Sequence, residues 1–246
     1  RPEYLIEATI AFGNNKLSQQ EYEDIQNRAI RETIENFQDT GSPVITDGEQ
    51  MKPSFATYPL HGLNNLDSDG FKIEFSSGHS RQFPKLTKGP FTYAAYASNY
   101  LKRAQKFTDR PLKQAVIAPT ALSLIYPEEG IEGYTRQEFL DDLVSEAAKD
   151  IRRCLDAGAE KVQMDFTEGR LAVKLDPSKD ILKDFIALNN RVLEQFSAEE
   201  RKKIGIHTCP GGDRHGTHSG EVDYADLLPL LFELKADNIY MQFASE

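Results

Sequence analysis

The sequence predicts an α/β fold with a parallel sheet. Two observations carry that prediction. Short apolar runs rich in β-branched residues alternate with amphipathic segments of helical period, the pattern of repeated βα units. No proline-, glycine- or serine-rich linker separates the units, so residues 1–246 are expected to form one domain. Two architectures satisfy the pattern: an open doubly wound sheet and a closed (β/α)8 barrel. No glycine-rich fingerprint follows a first strand, so the dinucleotide-binding form of the open sheet lacks its signature.

The elements follow in order. Ser18-Gln19-Gln20-Glu21 is a capping box, in which a hydroxyl takes the N3 amide and the Glu reaches back to the cap. Helical periodicity continues to about Phe37, and Gly41 supplies the stop. Pro43-Val44-Ile45-Thr46 reads as a first strand. Residues 50–90 break the rhythm with several Gly, Pro and Asp residues, and predict an elaborated βα loop with a hairpin. Residues 91–107 are amphipathic at helical spacing, so their Tyr and Phe side chains are expected in the core or a subunit contact. Residues 114–118 form the second strand. Thr135-Arg136-Gln137-Glu138 repeats the capping box and opens a helix to about Ala157, closed by Gly158; Cys154 on this helix reads as packing. Strands at 161–164, 203–206 and 238–241 alternate with helices at 178–195 and 223–235, where Pro229 is tolerable only near the first turns.

Composition limits the function. The 246 residues hold 39% apolar side chains and 16 glycines, enough for a buried core. Lys plus Arg number 29 and Asp plus Glu 39, a net charge of −10. A chain this acidic is a poor candidate for a general nucleic-acid or anionic-membrane binder. The 2 cysteines exclude a disulfide scaffold, and no apolar run approaches the ~18 residues of a membrane span. The opening RPEYLIEATI is neither a signal peptide nor an initiator Met, and NIYMQFASE reads as a strand running off the end. The chain is therefore expected to be part of a larger protein.

In a barrel the chemistry sits at the C-terminal ends of the strands. Asp47-Gly48-Glu49, Pro119-Thr120, Asp165, His207-Thr208-Cys209 and Gln242 occupy those places. His207 and Cys209 fall on one side of an extended segment, where nitrogen and sulfur can meet one zinc ion at about 2.0–2.3 Å. The plainer alternative is a small buried thiol beside a satisfied core histidine. His215 and His218 lie in GGDRHGTHSG, either a solvated loop or a lid carrying an acid/base, with His218 the candidate catalytic group. Glu49 and Asp165 are helix caps, loop carboxylates or site residues. His61 and His79 form no pattern.

Four segments, ITDGEQ at 45–50, VQMDFTEGRLA at 162–172, IGIHTCPGGD at 204–213 and ADNIYMQ at 236–242, resemble the C-terminal catalytic-domain family of cobalamin-independent methionine synthase. That family belongs to the barrel superfamily shared with uroporphyrinogen decarboxylase, and the resemblance covers essentially the whole chain. Arg1-Pro2 resembles the tail of an element that follows the family's first strand. The resemblance therefore implies a (β/α)8 barrel seen without its first strand and its last βα units. It also implies a cytoplasmic, zinc-dependent methyltransferase. Zinc would hold a thiol such as homocysteine as thiolate, and the thiolate would attack the methyl group of a methyltetrahydrofolate-like pterin.

Position by position, His207 and Cys209 match the first two zinc ligands, and Glu49 and Asp165 match the acids that hold the substrate ammonium. Gln242 stands where the family has a ligating Glu, and the family's last ligand, a Cys, would lie beyond residue 246. The family's folate-stacking Trp has no counterpart; Ile125 or Tyr126 falls near its place. Three alternatives accompany this reading: methyl transfer to another thiol, a zinc-free decarboxylase-like relative, and a degenerate paralogue with a binding role. Gln242 favours the last.

Overall fold

The computed structural model describes residues 1–213 and 216–242. In chain order the helices are α1 (Glu3–Gly13), α2 (Gln19–Asp39), α3 (Ser98–Ala104), α4 (Pro119–Ser123), α5 (Arg136–Asp156), α6 (Gly169–Leu175), α7 (Asp180–Leu193), α8 (Ala198–Arg201) and α9 (Tyr224–Leu231). The strands are β1 (Leu66–Asp67), β2 (Lys72–Glu74), β3 (Ser80–Gln82), β4 (Lys85–Leu86), β5 (Lys113–Ile117), β6 (Lys161–Asp165), β7 (Ile204–Thr208), β8 (Gly212–Asp213), β9 (Gly216–Thr217) and β10 (Asn238–Met241).

β5, β6, β7 and β10 form one parallel sheet in the order of the sequence, and Ile45 adds a parallel bridge to Leu112 beyond β5. The order never reverses, so there is no switch point of the doubly wound kind, and the sheet is an arc of a (β/α)8 barrel. Alternation separates two faces. Val162, Met164, Ile204 and Ile206, all fully buried, form the outer face against the helices. The inner face carries Ile117, Asp165, His207 and Tyr240 in register across the four strands.

Both capping boxes form. Ser18 and Thr135 each accept from the N3 amide while Glu21 and Glu138 return to the cap. Gly41 and Gly158 take positive φ at the helix ends. Two expectations need correction. The strand at 43–46 is reduced to the bridge at Ile45, whose amide and carbonyl pair with Pro111 and Lys113; Pro43 has no amide to extend the ladder. The helix expected over 91–107 is helical only over Ser98–Ala104. The amides of Phe91, Tyr93 and Ala97 instead donate to Asp142, Glu146 and Asp150 at 3.1, 2.9 and 2.7 Å. Those carboxylates sit four residues apart on one face of α5, and they hold the segment along it without regular helix. α1 is an addition to the expected elements. Its Leu5 and Ala8 are buried, and Phe12 stacks on Tyr22 of α2 at 4.5 Å.

The insertion at 50–90 is a pair of nested hairpins, β1 with β4 and β2 with β3. Its tip is fastened to the β8–β9 hairpin. Arg81 and His79 reach Asp213 Oδ2 at 2.7 and 3.2 Å, and the Ser76 amide donates to the Thr217 carbonyl at 2.8 Å. The insertion thus folds over the rim where the strands end. No described helix is long and apolar enough to cross a membrane.

Candidate active site

The turn after Ile45 delivers Glu49. Asp47 Oδ1 accepts from the Glu49 amide at 2.9 Å, an Asx turn, while Gly48 and Glu49 adopt φ of 64° and 55°. Gly48 is required twice over. Its φ is left-handed, and a Cβ there would meet Thr33 Cγ2 at 2.9 Å. Lys52, one helical turn on, places its ammonium 2.7 Å from Glu49 Oε2 and 2.8 Å from the Ala115 carbonyl oxygen, over the Tyr58 ring at 4.3 Å.

Asp165 ends β6 beside His207 of β7. Gln163 Nε2 donates to its Oδ1 at 2.7 Å. Burial, and then the charge of Glu49, push its carboxyl up to about 7, against the pull of Gln163, Lys52 and Lys113. Glu49, Lys52 and Asp165 therefore form one electrostatic group at the rim. Burial, aided by Lys113, holds the His207 imidazole below its ordinary range, so it is neutral and fit to ligate. Burial raises the Cys209 thiol, and its Sγ accepts from the Gly211 amide at 3.4 Å. The Gln242 amide donates to the Thr208 carbonyl at 3.4 Å, and its carbonyl accepts from the Tyr224 hydroxyl at 2.9 Å, so its backbone continues the β7 edge.

His218 stands apart from this group. It is buried, its Nδ1 lies 2.8 Å from Ser219 Oγ, and burial with Lys174 and Arg81 nearby pushes it down to about 4. It lines a narrow cleft beneath the insertion with Phe55, Phe75, Phe83 and Glu168. His215 lies outside the described residues. Ile125 and Tyr126 are both buried; the Tyr126 hydroxyl donates to the Tyr134 carbonyl at 2.7 Å and its ring stacks on Phe139.

Glu168 has no counterpart among the sequence-predicted site residues, because in sequence it is only a carboxylate in a strand-to-helix loop. In the fold it is fully buried, and burial raises its carboxyl to about 7 despite a hydrogen bond from Thr120. The faint signal available was its place three residues past Asp165, on the rim side of β6.

The donor types suit zinc in part. His207 and Cys209 offer an imidazole nitrogen and a sulfur that already accepts an amide hydrogen bond. Among the described residues, no three His, Cys, Asp or Glu side chains assemble as a metal-binding group, and position 242 offers a neutral amide.

Residues 4–246 match the family model described as cobalamin-independent synthase, catalytic domain. A search of curated proteins gave no match. Among solved structures, a B12-independent methionine synthase from Shewanella sp. W3-18-1, in complex with selenomethionine, superposes with a TM-score of 0.67 at 19% identity, over 91% of this chain and 65% of that one. A putative vitamin-B12 independent methionine synthase from Listeria monocytogenes superposes with a TM-score of 0.64 at 22% identity, over 98% of this chain and 76% of that one. At such identities the likeness establishes the fold. The chain spans just under two thirds of the Shewanella protein's length.

Proposed function

The chain belongs to the family of cobalamin-independent synthase catalytic domains, and from that premise we propose that it transfers a methyl group from an N-methylated pterin to the thiol of homocysteine. One observation supports the reading above others: Glu49, after the Ile45 bridge beyond β5, shares an electrostatic group at the rim with Asp165 of β6, which lies beside His207 of β7, with Cys209 two residues further on. Two carboxylates beside a neutral imidazole and a thiol suit an amino acid that carries both an ammonium and a sulfur.

In this reading Glu49 and Asp165 bind the substrate ammonium and orient its side chain toward His207 and Cys209. An arriving ammonium favours the ionised form of Asp165, so binding and deprotonation of that carboxyl are linked. His207 and Cys209 would hold zinc, with further donors from outside the described residues; a bound dication deprotonates a coordinating thiol. The test is methionine formation from homocysteine and methyltetrahydrofolate by the full-length protein, run beside metal analysis. Methionine formation that Asp165→Asn weakens mainly through KM is expected. No methionine at saturating zinc and both substrates would end the reading.

One contact favours a second acceptor. Glu49 is already paired with Lys52, whose side chain is wholly buried. A thiol without an ammonium group would leave that pair undisturbed. Faster methylation of a simple mercapto acid than of homocysteine would select this alternative.

A further inference from the structure

We propose that Lys113, at the start of β5, is a positioning residue for the acceptor site: through Gln163 it fixes the Asp165 carboxylate that receives the substrate ammonium. The inference rests on the reading of Asp165 as an ammonium-binding acid, and it adds the residues that hold this acid in place.

The first support is a pair of hydrogen bonds that climbs the inner face of the sheet. Lys113 pairs in register with Lys161, Ala115 with Gln163 and Ile117 with Asp165, so Gln163 stands one step above Lys113 and one step below Asp165. Lys113 Nζ donates to Gln163 Oε1 at 2.7 Å, and Gln163 Nε2 donates to Asp165 Oδ1 at 2.7 Å. An ammonium has three donors and no acceptor. It therefore settles which way the Gln163 amide faces, with its oxygen toward Lys113 and its NH2 toward Asp165. Oδ1 of Asp165 is committed to that amide hydrogen, and Oδ2 has no hydrogen-bond partner among the described residues. A Gln163 turned end for end would instead set its oxygen against the carboxylate.

The second support is the seat built for the Lys113 ammonium. Its Nζ lies 4.6 Å from the centre of the Tyr240 ring, a cation held against an aromatic face. Tyr240 belongs to β10, and β7 and β6 stand between that strand and β5. Gly205 of β7 makes the reach possible. A Cβ there would lie 2.4 Å from Tyr240 Cε2 and 2.9 Å from its Cζ, so any side chain would push the ring away. Burial draws the pKa of this ammonium down, while the charges of Asp165 and Glu49 oppose that pull. The ring face and the two carboxylates all favour the ammonium over a neutral amine.

Lys113 thus acts on the substrate only through Asp165. Its loss lets the Gln163 amide turn and frees the carboxylate it anchors. The effect belongs to ligands that carry an ammonium, and it falls on binding rather than on the methyl-transfer step.

The test uses the full-length protein with zinc and measures calorimetric Kd values for two thiols. One is homocysteine and the other is 4-mercaptobutyrate, the same molecule without its amino group. Wild type is expected to bind homocysteine more tightly. Lys113→Met should weaken homocysteine by about tenfold or more, the worth of one hydrogen bond to a charged group, and leave 4-mercaptobutyrate unchanged. In turnover with methyltetrahydrofolate the same variant should raise KM for homocysteine and keep kcat. Lys113→Arg, whose guanidinium also only donates, should recover most of the loss. Gln163→Leu breaks the same link at its middle, should match Lys113→Met, and carries the test alone where Lys113→Met does not fold. In an Asp165→Asn background Lys113→Met should add nothing further. Equal weakening of both thiols would make Lys113 a scaffold residue only and overturn the inference. Full additivity with Asp165→Asn would overturn it as well. A wild type that prefers homocysteine, with the preference intact in Lys113→Met and Gln163→Leu, ends this inference and leaves the role of Asp165 standing. A wild type that binds both thiols alike ends the role of Asp165 and this inference together.

Discussion

The Lys52 ammonium lies 2.7 Å from Glu49 Oε2 with its side chain wholly shielded from solvent. Asp47 and Asp165 also lie within its field, so one buried cation faces three carboxylates. Burial alone would lower the pKa of this ammonium, and those carboxylates more than restore it. Lys52→Met removes the cation and leaves the acids unpaired in a site with little water. Breaking a buried pair from one side costs about 3–5 kcal/mol. Urea unfolding should show a loss of that order for Lys52→Met, and a smaller one for Lys52→Arg, which keeps the charge. A loss no larger than that of an exposed pair, such as Lys183 with Asp180, would mean that the three acids are neutral without it.

The buried acids predict how stability depends on pH. Burial pushes Asp150 up to about 6, and Asp165 and Glu168 to about 7. A folded state that holds an acid's proton more tightly than the unfolded chain has its full advantage below the unfolded pKa, near 4. That advantage is lost as pH rises through the folded values. His207 and His218 are pushed down and act oppositely, but only below about pH 6.5. Between about pH 6.5 and 8 the two acids near 7 dominate, and stability should fall by on the order of 1 kcal/mol for each. Urea midpoints across that window should decline in wild type, with about half the slope in Glu168→Gln. A flat wild-type profile would mean that neither acid holds its proton near neutrality.

The parts of this fold that were legible in the sequence are those encoded locally. Ser18 with Glu21 and Thr135 with Glu138 each satisfy their own helix start within four residues, so the motif needs no tertiary partner. The strands at β5, β6 and β7 are readable because their buried outer faces demand apolar residues, and β10 because its half-buried Ile239 and Met241 pack against the same core. The segment 91–97 misleads for the opposite reason. Its apolar spacing is helical, yet its conformation is set by Asp142, Glu146 and Asp150, about 50 residues away. The site divides in the same way. Glu49, Asp165, His207 and Cys209 follow strands and carry a motif. Lys52 and Glu168 matter through burial and charge, which a single sequence does not display.

The carboxylate face of α5 offers a separate test. Asp150 accepts from the Ala97 amide at 2.7 Å and from the Tyr58 hydroxyl, and both donors are buried. Asp150→Ala leaves them without that acceptor, at about 1–3 kcal/mol for each buried group left unpaired. Hydrogen exchange should speed at Ala97 in this variant, while exchange at the Ser18 and Thr135 helix starts stays at wild-type rates. Uniform acceleration across the chain would show that Asp150 supports the whole fold rather than the 91–97 segment.

The metal prediction rests on three positions. His207 and Cys209 supply a nitrogen and a sulfur from one end of β7. The third position holds Gln242, and its neutral amide contributes no charge to offset a dication. A carboxylate placed there would add Coulombic attraction in a partly desolvated site. Gln242→Glu should therefore tighten zinc binding by about tenfold or more, equivalent to at least ~1.4 kcal/mol. Cys209→Ser removes the only sulfur donor of the pair and should abolish zinc binding, because an uncharged hydroxyl replaces a thiolate. Competition against a chelator at controlled free zinc measures both without any turnover. Equal zinc affinity in wild type, Cys209→Ser and Gln242→Glu would show that these side chains do not hold the metal, and the thiol would then have to be activated without it.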